Sequence, residues 1–309
     1  MRVVAGYPHA RSKTDPSVEA VNRGTYKGEH MKHLILAVLF GAQALSGACS
    51  VAQDNFFSKW QDRVRKTSAQ QPGWAVPVVA PTSGIVQLAR VDVVHQWTPT
   101  HTSTWNYGNS KGFNFIPYYK TEIDVNLPPY VQHNTSKVAD GAGDFSMVLK
   151  YRPFAGGAEH GNYSSSFQIA ATGATGSYKN GTARTTISPT LILGKGFGRF
   201  DVQSSLGGTL PVGSIHAIGR TIVWNTVAQY QIGKIFWPEI EVNSSFFHLG
   251  PNDGKNQSFV TPGLMVSRIK LRREAKDRLG LVVGGGIQIA TSTYHAYNHG
   301  LVLTGRITF

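Results

Sequence analysis

From Gly84 to the last residue, apolar and polar side chains alternate with a period of two. That is the pattern of strands whose successive side chains point to opposite faces of a sheet. Phe145, Met147, Leu149 and Tyr151 alternate with Ser146, Lys150 and Arg152, and Ile240 and Val242 alternate with Glu239, Glu241 and Asn243. The final ten residues repeat the pattern: Leu301, Leu303, Ile307 and Phe309 share one face, with Val302, Thr304, Arg306 and Thr308 on the other. About twelve such tracts of about ten residues follow one another, broken by turn-forming residues, and the boundary near Tyr119–Thr121 is the least marked. Connections after even tracts are short (Lys195–Arg199, Gly233–Ile235), and those after odd tracts are long and polar (Thr98–Lys111, Gln132–Gly143, Ser177–Ala183, Gly250–Gln257). An even strand number with one-sided short turns predicts an all-β fold. Specifically, it predicts a transmembrane antiparallel up-and-down β-barrel of about twelve strands, apolar outside and polar within.

The first part of the chain is patterned differently. Residues 1–30 carry no periodic apolar pattern and read as a mis-assigned upstream extension. Met31-Lys32-His33, the apolar run Leu34–Leu45 and Ser50-Val51-Ala52 read as a signal peptide over 31–52. That run is too short for a membrane-spanning helix, which needs about 20 apolar residues. Cys49 raises a lipid anchor, although Ser46 stands where a lipobox expects Leu. Residues 53–84 divide into a short amphipathic helix over Asp54–Thr67, with Phe56, Trp60 and Val64 as its stripe, and a linker marked by Pro72, Pro77 and Pro81. The expectation is a helix on the periplasmic side followed by a barrel over 85–309.

Composition narrows the chemistry. A single Cys removes intrachain disulfides and Cys-based zinc sites. Net charge is +13, but the 30 Lys and Arg are scattered along the strands without a basic stripe, so nucleic acid is not an expected partner. Only 15% of residues are charged, and a charge on a lipid-facing strand costs about 2–4 kcal/mol at the midplane. The charges that alternate with large apolar residues are therefore assigned to the lumen: Arg90, Asp92, Glu122, Asp124, Lys150, Arg152, Glu239, Glu241, Arg268, Lys270 and Arg272. Glu239 and Glu241 are expected to form a cross-strand ion-pair ladder with Arg268, Lys270 and Arg272.

His95, Trp97, Trp105, His295, Tyr297 and His299 fall at outer strand ends and are assigned to an aromatic outer vestibule or an interfacial girdle. No metal site or cofactor is predicted; His295 and His299 have helical spacing but lie in a loop. Ser244, Ser245 and His248 are the nearest approach to a hydrolase constellation, without a third group to orient the His.

Gly143-Asp144-Phe145-Ser146-Met147-Val148-Leu149-Lys150-Tyr151-Arg152 resembles the G-D-x-x-x-x-x-K-Y-R strand of a family of bacterial outer-membrane proteins. That family is described as phenol-degradation meta-pathway or transporter-like. The resemblance runs over roughly 84–309 and implies a β-barrel, with uptake of aromatic compounds for some members; Asp144, Lys150 and Arg152 match the motif. The last strand resembles the closing strand of outer-membrane barrels, whose terminal residue, here Phe309, is read by the assembly machinery. The expectation is a non-enzymatic channel in the bacterial outer membrane passing small organic, including aromatic, solutes. Its partners would be membrane lipid, lipopolysaccharide and the assembly machinery. The alternatives are a plugged structural or recognition barrel and an outer-membrane lipid hydrolase.

Overall fold

Alternating tracts bury half their side chains only if their sheet closes, and here it does. The computed structural model describes residues 51–271 and 278–309, with the side chains of 51–55 and Arg268 outside that set. The predicted upstream extension, most of the signal peptide, Cys49 and Arg272 therefore lie outside the described residues. Fifteen antiparallel segments form one sheet whose first and last strands pair. Three wall strands are each built from two segments, which makes a closed barrel of twelve.

The strands are β1 (Leu88–Trp97), β2 (Ser103–Gly108 and Gly112–Tyr118), β3 (Thr121–Asn126 and Tyr130–His133), β4 (Gly141–Ala142 and Ser146–Gly156), β5 (Tyr163–Thr172) and β6 (Thr186–Phe197). They continue as β7 (Phe200–Pro211), β8 (Arg220–Tyr230), β9 (Phe236–His248), β10 (Asn256–Lys270), β11 (Gly280–Ala290) and β12 (His299–Thr308). β1 closes the wall on β12 in register from Leu88↔Thr308 to Trp97↔His299.

The breaks in β2, β3 and β4 lie side by side. Gly108, Asn109 and Ser110 all have positive φ. Pro128 and Pro129 interrupt β3, and Gly143 donates its N–H to the Pro129 carbonyl at 2.7 Å. Pro has no N–H for the ladder, so a wall strand containing a Pro pair must break. Two connections predicted as long loops are consequently shorter. Ser103–Gly108, Tyr130–His133 and Gly141–Ala142 are strand, leaving 98–102 and 134–140 as the loops. At the opposite end the turns are tight; β6 and β7 are joined through Gly198, whose φ of 63° permits a near-minimal reversal.

The outward face is apolar over its whole circumference. Leu149 is 54% exposed and Ile240 52%, while their neighbours Lys150 and Glu241 are 3% and 0% exposed. A water-soluble protein rarely exposes so continuous an apolar surface; around a closed barrel it is the lipid-facing belt.

Helix α1 (Val51–Ala69) extends slightly beyond the predicted 54–67 at both ends. From Ser58 onward it belongs to the same compact unit as the barrel. Trp60 and Val64, members of the predicted stripe, pack on Ile85 and Ile116; Phe56 is exposed instead. Trp60 Nε1 also donates to Gln87 Oε1 at 2.8 Å.

Candidate functional site

The segment between α1 and β1, predicted as a linker, runs through the lumen. An extended chain rich in Pro cannot satisfy its remaining N–H groups by itself, and buried N–H groups require acceptors. The inward carboxylates supply them. Glu239 Oε1 accepts the Val78 N–H at 2.8 Å, and Glu241 accepts those of Val79 and Ala80 at 2.8 and 2.5 Å. Glu122 accepts the Val86 N–H. Basic residues cover the segment's carbonyls: Arg306 donates to Val76 and Pro77 at 2.6 Å each, Arg90 to Val78 at 2.5 Å, and Lys150 to Gly84 at 3.2 Å. Gln203 accepts the Ser83 N–H at 2.9 Å.

One flank of the segment is apolar. Ala75 and Val78 join the inward residues Val94, Trp237, Met265, Val282 and Val302 in a small dry core, with Trp74 and Val79 packed on it. α1 is held at the short-turn end by Arg152, which donates to the Thr67 carbonyl at 3.2 Å and to Gln71.

The predicted lumen residues thus have particular partners. Arg90 pairs with Asp92 at 2.7 Å, and Lys150 with Glu122 at 3.2 Å. Asp124 accepts from the Asn114 amide at 2.5 Å. The register separates Glu239 and Glu241 from Lys270, the one described side chain of the expected basic partners. The register sets Glu239 opposite Gly263 and Glu241 opposite Thr261, whereas Lys270 pairs with Gly280 and is exposed. At about 3.4 Å per residue, Lys270 lies about 24 Å further along the strand than the partner of Glu239 and about 31 Å further than that of Glu241. The carboxylates bind the plug segment and Gln229 instead.

The aromatic residues need a second correction. His95 and Trp97 share the parity of Val91 and Val93 on β1, opposite to that of the buried Arg90, Asp92 and Val94. They therefore face outward and do not line a vestibule. His95 stacks on Trp105 at 4.0 Å and contacts Trp97 at 3.9 Å, and Trp97 stacks on His299 at 4.7 Å. This is an interfacial patch on the outer wall near the long loops, the girdle alternative. Tyr297 stacks on Phe259 at 4.3 Å and donates to Gln288 at 3.0 Å; His295 has both ring nitrogens against its own loop, at Ser292 and Asn298.

The hydrolase constellation is not assembled. Ser244 Oγ is hydrogen-bonded to Ser258 Oγ at 2.9 Å, and His248, four residues along the same strand, is roughly 13 Å away at strand rise. Phe309 packs edge-on to Phe115 at 6.3 Å, and its carbonyl accepts from Gln87 at 3.1 Å.

Sequence reasoning assigned Asp144 no geometry. Its carboxylate accepts the Thr175 and Gly176 N–H groups at 2.9 and 2.7 Å, and the N–H and hydroxyl of Thr182 at 2.5 and 2.8 Å. It thereby pins the loop 173–185 over the break in β4. Burial pushes this carboxyl up, but the four hydrogen bonds outweigh it and hold its pKa below the ordinary aspartate range. A depressed folded-state pKa gives stability that is complete above the unfolded value, near pH 4, and is lost as pH falls through the folded value. Amide exchange at Thr175, Gly176 and Thr182 is therefore expected to be slow at pH 6 and to accelerate in acid. In Asp144→Ala it should be at least tenfold faster at pH 6, since bonds to a charged acceptor contribute about 1.5–3 kcal/mol each. Equal protection in the variant would remove the latch.

Gly194 makes room for the plug: a Cβ there would lie 2.5 Å from both the Trp74 ring and Ser83 Oγ. The backbone at 194 is fixed by pairing to Ser164 and Gln203 on either side, so the plug must yield. Overpacking of this kind costs about 1–3 kcal/mol. Gly194→Ala should accordingly raise the open-state occupancy about tenfold in single-channel recordings if plug displacement opens the lumen; an unchanged trace would contradict that coupling.

A closed antiparallel wall, apolar outside and polar within, with the chain's own segment lying across its interior, defines a plugged transmembrane β-barrel. No family model matches the chain, and no curated protein matches it. The resemblance carried by Gly143–Arg152 therefore rests on that strand alone. Among solved structures, the chain is similar to an outer membrane channel from Pseudomonas putida F1, at 13% identity and TM-score 0.48 over 76% of this chain and all of that one. It is also similar to the NanC porin, at 8% identity and TM-score 0.45 over 71% of this chain and 98% of that one.

Proposed function

We propose that this chain is a channel of the bacterial outer membrane, passing small organic solutes when the segment between α1 and β1 leaves the lumen. One observation carries the reading. The wall is held by its own strand-to-strand ladder, whereas the plug is held by side chains reaching to its backbone. Withdrawing the plug costs those side-chain bonds and a small dry core but no wall pairing. On this reading Arg90, Glu122, Lys150, Arg152, Glu239, Glu241 and Arg306 are the clasp of the gate, and they become lumen lining once it opens. Phe309 is proposed to present the closing strand for assembly, and the outer aromatic patch to meet lipid and lipopolysaccharide headgroups. Uptake of aromatic solutes is implied by the family resemblance; the lumen wall itself is polar.

The test is conductance of the purified full chain in planar bilayers. Long closed intervals with brief openings are expected in the wild type, and prolonged openings when the clasp is cut. Silence in both the wild type and Glu239→Ala/Glu241→Ala would favour a permanently plugged structural barrel.

A further inference from the structure

A cavity of about 300 Å³ lies between the plug and the wall of β1–β8, toward the lower limit for small-molecule sites. It extends from Val86 and Leu88 to Thr209, close to the long-loop end of β7. No aromatic ring lines it. Its basic and acidic groups are largely committed: Lys150 to Glu122, and Arg90 to Asp92 and the Val78 carbonyl.

Lys111 is the exception. It sits in the break of β2 and lines the same cavity as Arg90, Glu122 and Asp124. Among the described residues its ammonium makes no hydrogen bond or ion pair. Facing it across the cavity are amides and hydroxyls: Gln168, Thr190, Thr209 and Asn225. Gln168 and Thr190 likewise make no side-chain hydrogen bond among the described residues. Asp124 contributes a carboxylate that can accept from a hydroxyl.

From this arrangement we infer a binding site for a small polyhydroxylated monocarboxylate, the chemistry of sugar acids. The ligand's carboxylate meets the Lys111 ammonium, its hydroxyls bridge Gln168, Thr190 and Asp124, and the wall carboxylates Glu122 and Asp124 disfavour a second negative charge. This inference rests on the channel reading for its purpose but not for its test.

Isothermal titration of the folded full chain in detergent, with D-gluconate as probe, reads the site whether or not the lumen conducts. One gluconate per chain is expected, with D-glucose (no carboxylate) and benzoate (no hydroxyls) each at least tenfold weaker. Lys111→Met should weaken gluconate at least tenfold, and Thr190→Val about threefold or more. Lys195→Met, exposed at the short-turn end of β6, should bind as the wild type does. Absence of gluconate binding, benzoate binding as tight as gluconate, or unchanged affinity in Lys111→Met overturns the site. If Lys111→Met does not fold, unchanged affinity in Thr190→Val overturns it. A gluconate site in a silent barrel would sink the channel and leave this inference standing, and conductance without gluconate binding would do the reverse.

Discussion

Glu241→Ala should raise the open-state occupancy of the barrel by about 100-fold. Glu241 is fully buried, and its carboxylate holds two consecutive plug amides, Val79 and Ala80. Hydrogen bonds to a charged acceptor contribute about 1.5–3 kcal/mol each. Alanine removes both and leaves two buried N–H groups without an acceptor, so the closed state loses about 3 kcal/mol at the lower bound. At about 1.4 kcal/mol per factor of ten, that is about two orders of magnitude in the closed-to-open ratio. The wall is unaffected in principle, since Glu241 pairs with Val227 and Thr261 through backbone. A heat-modifiable band on a denaturing gel checks that the barrel is still folded. Closed times equal to the wild type, in a folded variant, would mean that the plug does not gate the pore.

Leu149→Arg should lower folding stability in phospholipid vesicles by about 2–4 kcal/mol, as should Ile240→Arg. Both residues are more than half exposed. On a water-soluble protein, an exposed Leu→Arg change away from special features usually stays within about 0.5 kcal/mol. The two environments therefore predict different results for the same substitution, and urea titration of the folded barrel in bilayers distinguishes them. A near-neutral result at both positions would remove the lipid from the outer face, and the membrane reading with it.

Much of the wall was legible because a period of two is a local property. Leu149 out and Lys150 in follow from alternation once one face is known to be apolar, and the boundary at Tyr119–Thr121 matches the turn between β2 and β3. The outward position of His95 and Trp97 was legible too, since they share the parity of Val91 and Val93; grouping by residue type obscured it. Pro128-Pro129 and the Gly108–Ser110 run signalled broken strands, but not that the breaks would align across three neighbours.

Lys270 misses Glu239 and Glu241 because register is a property of two strands together. Both charge sets were read as sharing a face, yet their heights depend on how β9 and β10 slide against each other, and β9 begins at Phe236, opposite Val266, so the end of β10 that carries Lys270 runs past it.

The chain by itself determined a closed barrel with oil outside and polar groups within, because that sorting is written residue by residue. Only the tertiary structure decided that the Pro-rich stretch fills the lumen. Its N–H groups find acceptors far along the chain, Val78 at Glu239 and Ala80 at Glu241. No local pattern can encode a bond between residues that folding alone brings together.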